Sequence, residues 1–346
     1  MGKYSLDAFE VYPLVKLRPA MRSPEADCYR LVELYQSELE PETGELLSPP
    51  PVGVGPVILR LHPDDKKDVL DVCGFIRRMG YCYAGGINLA GVVLTEGAFS
   101  DTQRNQLVQA YRQAFEETFL LVQPGTELVE VCRRLGIRFG LWLDTARGIL
   151  NLRRSIAKEN LARNWESCPV YLWAGQELTG EQLDGARRWH ASGANVNAVL
   201  GQRMTLRRMM FPRDLTAGGP MPLRIWWQNL GTAPCYRDLE ICLELRREGE
   251  RYPVALPEKT MRPGLGDTTF NTTGLLPGVQ GELELWIGLR DRDGLLPLSM
   301  EGREAEGMYE IGRITLDDVA RPHLKTMWEE NYADGYYPLE DPAQPE

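Results

Sequence analysis

Short apolar runs alternate with amphipathic stretches over the first half of the chain. The runs are rich in branched and aromatic residues and are bounded by turn formers, which is typical of strands buried on both faces. The stretches between them carry apolar residues three and four positions apart, which predicts helices packed on one side. The runs are residues 29–35, 56–62, 87–95, 118–123, 137–144, 169–175 and 194–200, and the helical stretches are 65–79, 101–116, 127–135 and 152–164. This order predicts a parallel sheet covered by helices, close to a (β/α)8 (TIM) barrel but trimmed in length.

The pattern changes near Met210. Residues 210–222, MFPRDLTAGGPMP, are rich in Pro and Gly and predict a linker. Beyond them, apolar and polar positions alternate in segments separated by polar turns, which predicts an antiparallel β-sandwich. These segments are LRIWWQNLG, YRDLEICLELRRE, GELELWIGLRDRD and MYEIGRITL. The fold class is therefore α/β plus all-β, with a TIM-barrel-like domain over 1–209, a linker over 210–222, a sandwich over 223–318 and a tail over 319–346.

Composition narrows the possible partners. The 346 residues carry a net charge of -10, with 43% hydrophobic and 25% charged residues. These fractions are typical of globular proteins, and the negative net charge is unfavourable for binding the phosphates of nucleic acid. No run approaches the roughly 20 apolar residues that cross a bilayer, and no leader peptide is visible. We expect a soluble, cytoplasmic protein that binds neither nucleic acid nor membrane, and the oligomeric state stays open.

Cysteine and histidine usage gives no indication of a metal site. The seven cysteines are odd in number and stand among apolar neighbours, which favours free buried thiols. The three histidines, His62, His190 and His323, are far apart in sequence, and no CxxC pair occurs. We expect neither a metal nor another cofactor.

Two of the buried runs end in carboxylates. GVVLTEG carries Glu96 and CPVYLWAGQE carries Glu177, and parallel barrels place their chemistry where strands end. Two facing carboxylates can cleave a glycosidic bond, because one protonates the leaving oxygen while the other attacks the sugar or activates water. Alternatively, Glu96 is a solvated turn acid and Glu177 caps a helix over 178–188.

Aromatic and acidic residues at two further strand ends are candidates for substrate contact. Trp142 and Trp173 lie within buried runs, and their rings could stack on the apolar C–H groups of a pyranose. Asp144 follows Trp142 at a strand end, where a carboxylate can accept hydrogen bonds from sugar hydroxyls. The alternatives are core packing for both tryptophans and an N-cap of residues 145–152 for Asp144.

The remaining substrate-binding candidates are charged or titratable. Glu38 follows the run 29–35, and Arg60 and His62 close the run 56–62. Arg60 could hold a nearby carboxylate ionised, since an opposite charge lowers its pKa, or it could form an ordinary ion pair with an acid such as Glu38. His190 precedes the last run, and its alternative is a structural polar residue.

The second half of the chain resembles a known family. WWQNLGTAPCYRDLEICLEL, LLPG, GELELWIGLRD and MYEIGRITL resemble the C-terminal sandwich of bacterial glycosidase-like proteins, a sandwich labelled as a domain of unknown function. In that family a barrel similar to clan A glycoside hydrolases precedes the sandwich. In the first half of this chain, YQSELEPETGE and VILRLHP resemble strand ends of the family's barrel.

The resemblance assigns roles to the two carboxylates. Glu96 resembles the acid/base after the family's fourth strand, and Glu177 resembles the nucleophile after its seventh. The implied activity is retaining hydrolysis of a β-linked glycan. Two departures are visible: Thr95 stands where clan A barrels usually have Asn, and the stretch between Leu61 and Ile87 is short. They leave open a non-catalytic carbohydrate-binding protein on a degenerate barrel.

Overall fold

A computed structural model describes residues 9–12, 29–38, 56–64, 66–83, 89–95, 97–291, 294–300 and 304–325. The chain divides into two compact units. One, the α/β unit, comprises residues 22–202 and 231–236, and the other, the β unit, comprises residues 1–21, 203–230 and 237–346. Each unit is described by itself below.

Five helices and nineteen strands are assigned within the described residues. The helices are α1 Val69–Tyr83, α2 Asp101–Ala114, α3 Glu127–Arg134, α4 Ile149–Lys158 and α5 Gly180–Arg188. The first eight strands are β1 Phe9–Tyr12, β2 Arg30–Tyr35, β3 Val57–His62, β4 Leu89–Val93, β5 Leu120–Val122, β6 Gly140–Asp144, β7 Val170–Trp173 and β8 Gly193–Ala194. The others are β9 Met204–Pro212, β10 Asp214–Thr216, β11 Pro220–Asn229, β12 Leu239–Arg247, β13 Glu250–Pro253, β14 Thr260–Met261, β15 Gly266–Leu275, β16 Gly281–Asp291, β17 Gly294–Leu296, β18 Glu304–Ala305 and β19 Met308–Asp317. No helix in the described part of the chain is long and apolar enough to cross a membrane.

The α/β unit contains a seven-stranded parallel sheet in the sequential order β2 to β8. One backbone hydrogen bond joins its two edges, since Tyr29 N donates to Ala194 O at 3.2 Å. The predicted parallel, helix-covered architecture is therefore confirmed, but the barrel is incomplete. Within the residues that the structure describes this sheet has no eighth strand, and β1 pairs antiparallel with β9 in the β unit.

The two faces of this sheet bury different sets of side chains. The outer face packs against the helices, where Leu59, Leu143 and Leu172 share one apolar cluster with Phe75 and Met79 of α1. The inner face has a smaller cluster of its own. Its buried members are Tyr29, Ile58, Ala90, Val93, Leu121 and Trp142, and Leu31, Phe119, Tyr171 and Trp173 pack against them half-buried. Because side chains alternate along strands, one residue in two contributes to this interior.

Local sequence signals fix the helix starts. Ser100 before α2 and Thr179 before α5 each accept a hydrogen bond from the backbone N–H three residues on, and the glutamine there bonds back to the cap. These are capping boxes, which satisfy two otherwise unpaired donors at each helix start. The motif is readable in the chain as S-x-x-Q and T-x-x-Q.

The β unit is built from two sheets. A four-stranded antiparallel sheet has the order β1-β9-β11-β15, and a larger sheet is built on β10-β19-β16-β12-β13. The prediction of separate antiparallel sheets is thus confirmed, with one parallel pair between β10 and β19. The segment 210–222 is not a bare linker, because it supplies the end of β9, all of β10 and the start of β11. Its prolines lie at strand ends, where a missing N–H is tolerated.

The described cysteines include both buried and exposed thiols. Cys73, Cys132, Cys168 and Cys235 are buried, whereas Cys82 is exposed. Burial raises the pKa of Cys132 and of Cys235 to about 12, so both are thiols rather than thiolates at neutral pH.

Two inward-facing glycines make room for Leu121. An added Cβ at Gly91 would overlap the Leu121 side chain, and one at Gly140 would overlap both that side chain and the carbonyl oxygen of Pro169. Leu121 is fully buried between them. The backbone oxygen cannot yield as a side chain can, so Gly140 is the more restrictive of the two.

We expect Gly140→Ala to lower the free energy of unfolding by about 1 to 3 kcal/mol, because it overpacks the inner face against backbone. The matched control is Gly180→Ala at the start of α5, where an added Cβ meets nothing within 4 Å. That control should stabilise by about 0.4 to 1 kcal/mol. Urea denaturation measures both, and equal effects would contradict the packing account.

Candidate active site

The carboxyl ends of the parallel strands carry a polar layer on the inner face of the sheet. On each strand the residues two or four positions after an inner-cluster residue share its face. These positions are Glu33 and Tyr35 on β2, Arg60 and His62 on β3, Gln123 after β5, Asp144 on β6 and Trp173 on β7. The apolar cluster is therefore the floor of the candidate site, and the polar layer lies above it.

Two tryptophans stack on this face. The ring centroids of Trp142 and Trp173 lie 6.1 Å apart with an interplanar angle of 21°. Trp142 is only 2% exposed, whereas Trp173 is half-buried. Trp142 is therefore a core residue, which is the alternative that the sequence left open. It packs beneath Trp173, and its own ring is not exposed. Trp173 is the ring that a ligand can reach.

Asp144 lies beside Trp173 in the β6–β7 register. Its Oδ1 accepts a hydrogen bond of 3.0 Å from the backbone N–H of Ala146 and so caps the short 3-10 helix Thr145–Arg147. Its own backbone N–H donates to the side chain of Gln123 at 3.3 Å. Asp144 is therefore an N-cap, as the alternative predicted, and it also occupies the inner face, where one carboxylate oxygen is left for a ligand.

Tyr29 lies in the floor below this carboxylate. Its hydroxyl donates to the carbonyl oxygen of Leu172, and its ring packs 6.0 Å from Trp142 and 5.5 Å from Tyr171. Burial raises the pKa of Tyr29 strongly, and the negative charges of ionised Tyr171 and of Asp144 raise it further. Tyr29 is therefore a neutral hydrogen-bond donor at any physiological pH.

A charged cluster occupies the ends of β2 and β3. His62 Nε2 lies 3.0 Å from Glu33 Oε1, and Arg60 Nη1 lies 3.6 Å from the same oxygen. The exposed ring of Tyr35 stacks on the imidazole of His62 with centroids 4.2 Å apart. The ion pair predicted for Arg60 thus exists, but its acid is Glu33. The side chain of Glu38 lies outside the described residues.

The two carboxylates predicted to be catalytic differ in what the structure shows. Glu96 lies outside the described residues, between Thr95 and Gly97 after β4. Glu177 lies in the bend after β7 and is exposed. It does not cap the following helix, because Thr179 does so. The side chain of Thr95, where clan A barrels usually have Asn, donates to the carbonyl oxygen of Leu61 on β3.

His190 lies before the amino end of β8, and its contacts are those of the structural alternative. It precedes β8, its ring lies 3.7 Å from that of Trp165, and its Nδ1 is 3.0 Å from Thr232 O. Its φ is 53°, a left-handed conformation that suits the turn after α5. The amino ends of parallel strands are remote from the polar layer, so the structure does not bring His190 together with the other candidate residues.

The sequence interpretation missed Glu33 and Gln123. Both lie inside or at the end of apolar strand runs, where the hydrophobic pattern predicts a strand and does not mark a single polar residue as part of a site. The alternation of side chains in the run 29–35 predicts this position for Glu33, because Glu33 is four residues after Tyr29 and therefore lies on the same, inner face of the strand. Gln123 is buried, and it fixes the backbone at Asp144 from the neighbouring strand end. Among the described residues no group of His, Cys, Asp and Glu is arranged to hold a metal ion.

Comparisons with known proteins give no family assignment. No family model and no curated protein matches the chain. Among solved structures, endo-glycoceramidase II from Rhodococcus sp. shares 13% identity over 60% of this chain and 64% of its own, with a TM-score of 0.27. A mutant β-glucosidase from Listeria innocua in complex with laminaribiose shares 12% identity over 89% and 48%, with a TM-score of 0.25. The CARDB domain of a Pyrococcus furiosus protein, solved with metal ions, shares 13% identity over 35% and 97%, with a TM-score of 0.23.

These weak structural neighbours include glycoside hydrolases, and the chain spans less than two thirds of either of the two glycosidases. Likeness at this level carries no argument about activity. The functional assignment rests instead on the residues of the polar layer.

We expect His190→Ala to lower the free energy of unfolding by about 1 to 3 kcal/mol, because it removes a hydrogen bond and places alanine in a left-handed conformation. His190→Asn should cost less, since asparagine tolerates that conformation. Neither substitution should change glycan affinity, which calorimetry on the folded variants measures. A loss of affinity with unchanged stability would return His190 to the site.

Proposed function

We propose that the chain is a glycoside hydrolase-like protein that cleaves a β-linked glycan with two carboxylates. One observation carries the proposal: the half-buried Trp173 is the direct β6–β7 register partner of Asp144 at the carboxyl edge of a sequential parallel sheet. A sugar presents apolar C–H groups on its faces and hydroxyls around its edge. An aromatic face next to a hydrogen-bond acceptor is complementary to both.

The polar layer supports recognition of hydroxyl groups. Asp144 uses one carboxylate oxygen for its backbone cap, so the other can accept from a sugar hydroxyl. Stacking of Trp142 beneath Trp173 fixes the upper ring, so little side-chain entropy is lost when a sugar binds to it. The substrate would then lie across β6 and β7.

The chemical roles follow from strand order. Glu96 follows β4 and Glu177 follows β7 in the sequence, and the carboxyl ends of parallel strands share one edge of a sheet, which is the basis for proposing that the two act as a pair. In the proposed reaction, Glu177 attacks the anomeric carbon while Glu96 protonates the leaving oxygen, which gives a glycosyl-enzyme ester. Glu96 then deprotonates a water molecule that attacks the same carbon and releases Glu177. This retaining course requires a carboxyl separation of about 5 to 5.5 Å, whereas about 6.5 to 9.5 Å would give inversion.

We expect Glu177→Gln to abolish turnover of aryl β-glycosides, and Glu96→Gln to reduce it by about two to four orders of magnitude, the usual contribution of general acid–base catalysis. The matched control is Glu181→Gln on the first turn of α5, which is likewise exposed and should retain full activity. Undiminished turnover by Glu177→Gln would refute the nucleophile assignment.

The nucleophile can also be identified directly. A fluorinated aryl glycoside that forms but does not release the ester should add one sugar mass to the peptide containing Glu177. Peptide mass spectrometry after brief incubation detects the adduct, and Glu177→Gln should abolish it. Labelling of another acidic peptide would assign the reaction to that residue.

A non-catalytic carbohydrate-binding protein is the second candidate. The observation that favours it is the exposure of Glu177 in the bend after β7. A nucleophile is ordinarily held in place by neighbouring donors. Binding would then depend on the Trp173 ring and the Asp144 carboxylate alone.

We expect Trp173→Ala to weaken oligosaccharide binding by about tenfold or more under either candidate function, because the apolar surface on which the sugar packs is lost. Trp173→Phe, which keeps an aromatic face, should lose less. Calorimetry with neutral β-linked oligosaccharides measures both variants. Binding that survives Glu177→Gln without any turnover by the wild type would favour the non-catalytic candidate, and binding that is unaffected by Trp173→Ala would refute the proposed sugar platform.

A further inference from the structure

We infer that the charged cluster at the ends of β2 and β3 selects a glycan with an acidic sugar unit, whose carboxylate binds Arg60 and His62. The inference rests on the proposed function and deepens it by naming the substrate class. Glu33 serves as the internal counter-ion that this carboxylate competes with. The neutral part of the glycan would then lie toward Trp173.

Strand register places these side chains together. Glu33 is directly opposite Arg60, and Tyr35 is directly opposite His62, in the parallel β2–β3 pair. All four residues share the face of Tyr29 and Ile58, which belong to the inner cluster. The cluster therefore faces the interior at the carboxyl edge, on the side of the sheet remote from β6 and β7 in strand order.

The two bases share one acid. Arg60 Nη1 at 3.6 Å and His62 Nε2 at 3.0 Å both approach Oε1 of Glu33, and the Arg60 contact is a single long one rather than the two-pronged pair that a guanidinium prefers. Arg60 Nε is buried and has no hydrogen-bond partner among the described residues. A guanidinium has five N–H donors, and the Arg60 side chain is 31% exposed, so its Nη groups, rather than the buried Nε, are the donors that an incoming carboxylate would use.

The cluster is accessible to a ligand. The side chains of Arg60, His62 and Glu33 are 31%, 22% and 39% exposed. The ring of Tyr35, stacked on His62, holds the imidazole in position. Within the polar layer the bases lie on β3 and the carboxylate of Asp144 lies on β6. The carboxyl edge is therefore more positive at β3 than at β6, even though the chain as a whole carries a net charge of -10.

Charge competition distinguishes this site from a structural ion pair. If the cluster only stabilises the fold, replacing Glu33 by Gln lowers stability and has no effect on ligand preference. If the bases bind a substrate carboxylate, the same replacement removes the competing charge and strengthens binding of acidic sugars. Because Gln has nearly the same shape as Glu, a change in the preference for acidic sugars reports the loss of the Glu33 charge.

The test uses two matched pairs of probes, methyl β-D-glucuronide with methyl β-D-glucoside, and methyl β-D-galacturonide with methyl β-D-galactoside. Within a pair the sugars differ only in a carboxylate or a hydroxymethyl group. Dissociation constants are measured on the full chain by ligand-observed NMR. We expect one uronide to bind about tenfold more tightly than its neutral partner, the usual gain from a charge-assisted hydrogen bond.

The variants localise that preference. Arg60→Gln should abolish it, Arg60→Lys should retain part of it because the charge remains without the planar fork, and Glu33→Gln should increase it several-fold. Arg154→Gln on α4 and Glu130→Gln on α3, both exposed, are the matched controls and should leave it unchanged. Thermal unfolding of each variant verifies that it is folded.

Three outcomes would overturn the inference, and they separate it from the proposed function. Equal binding of uronides and neutral glycosides refutes acidic selectivity but leaves the glycosidase proposal standing. A uronide preference that survives Arg60→Gln places the recognition elsewhere. Binding of none of the four probes refutes the sugar site and the inference together.

Discussion

The inner apolar cluster around Tyr29 is the constraint on which the α/β unit depends. Tyr29 joins four strands, since its N–H bonds to Ala194 of β8, its hydroxyl bonds to Leu172 of β7, and its ring packs against Trp142 of β6 just before β2 begins. A seven-stranded sheet lacks the continuous hydrogen-bonded closure of a full barrel. Side-chain packing from the inside therefore replaces part of the missing backbone pairing.

The polar layer owes its arrangement to that floor. Large side chains low in the interior leave no depth for a ligand, so the next residues along each strand are held at the opening. Trp173 lies on Trp142, and Asp144 is fixed by the amide of Gln123 and by its own cap. The result is a site whose positions are set by strand register rather than by long loops, which are the usual source of subsites in barrels.

Charge is distributed unevenly around this opening. The ends of β2 and β3 carry two bases that share the acid Glu33, while the end of β6 carries the carboxylate of Asp144 next to an aromatic face. A partly solvated cluster of this kind contributes little to stability. Its interest lies in recognition, where a bound carboxylate could replace the internal one.

The sequence by itself determined the parallel α/β architecture, the antiparallel second unit and the presence of polar side chains at strand ends, because these follow from hydrophobic periodicity, which is local. It also identified Asp144, Arg60 and His62 as residues of interest. Tertiary structure decided which of them act together. The pairing of β1 with β9, the choice of Glu33 as partner of Arg60 and the placement of His190 before the amino end of β8 all depend on contacts between residues far apart in the chain, and no local pattern encodes which distant partner is chosen.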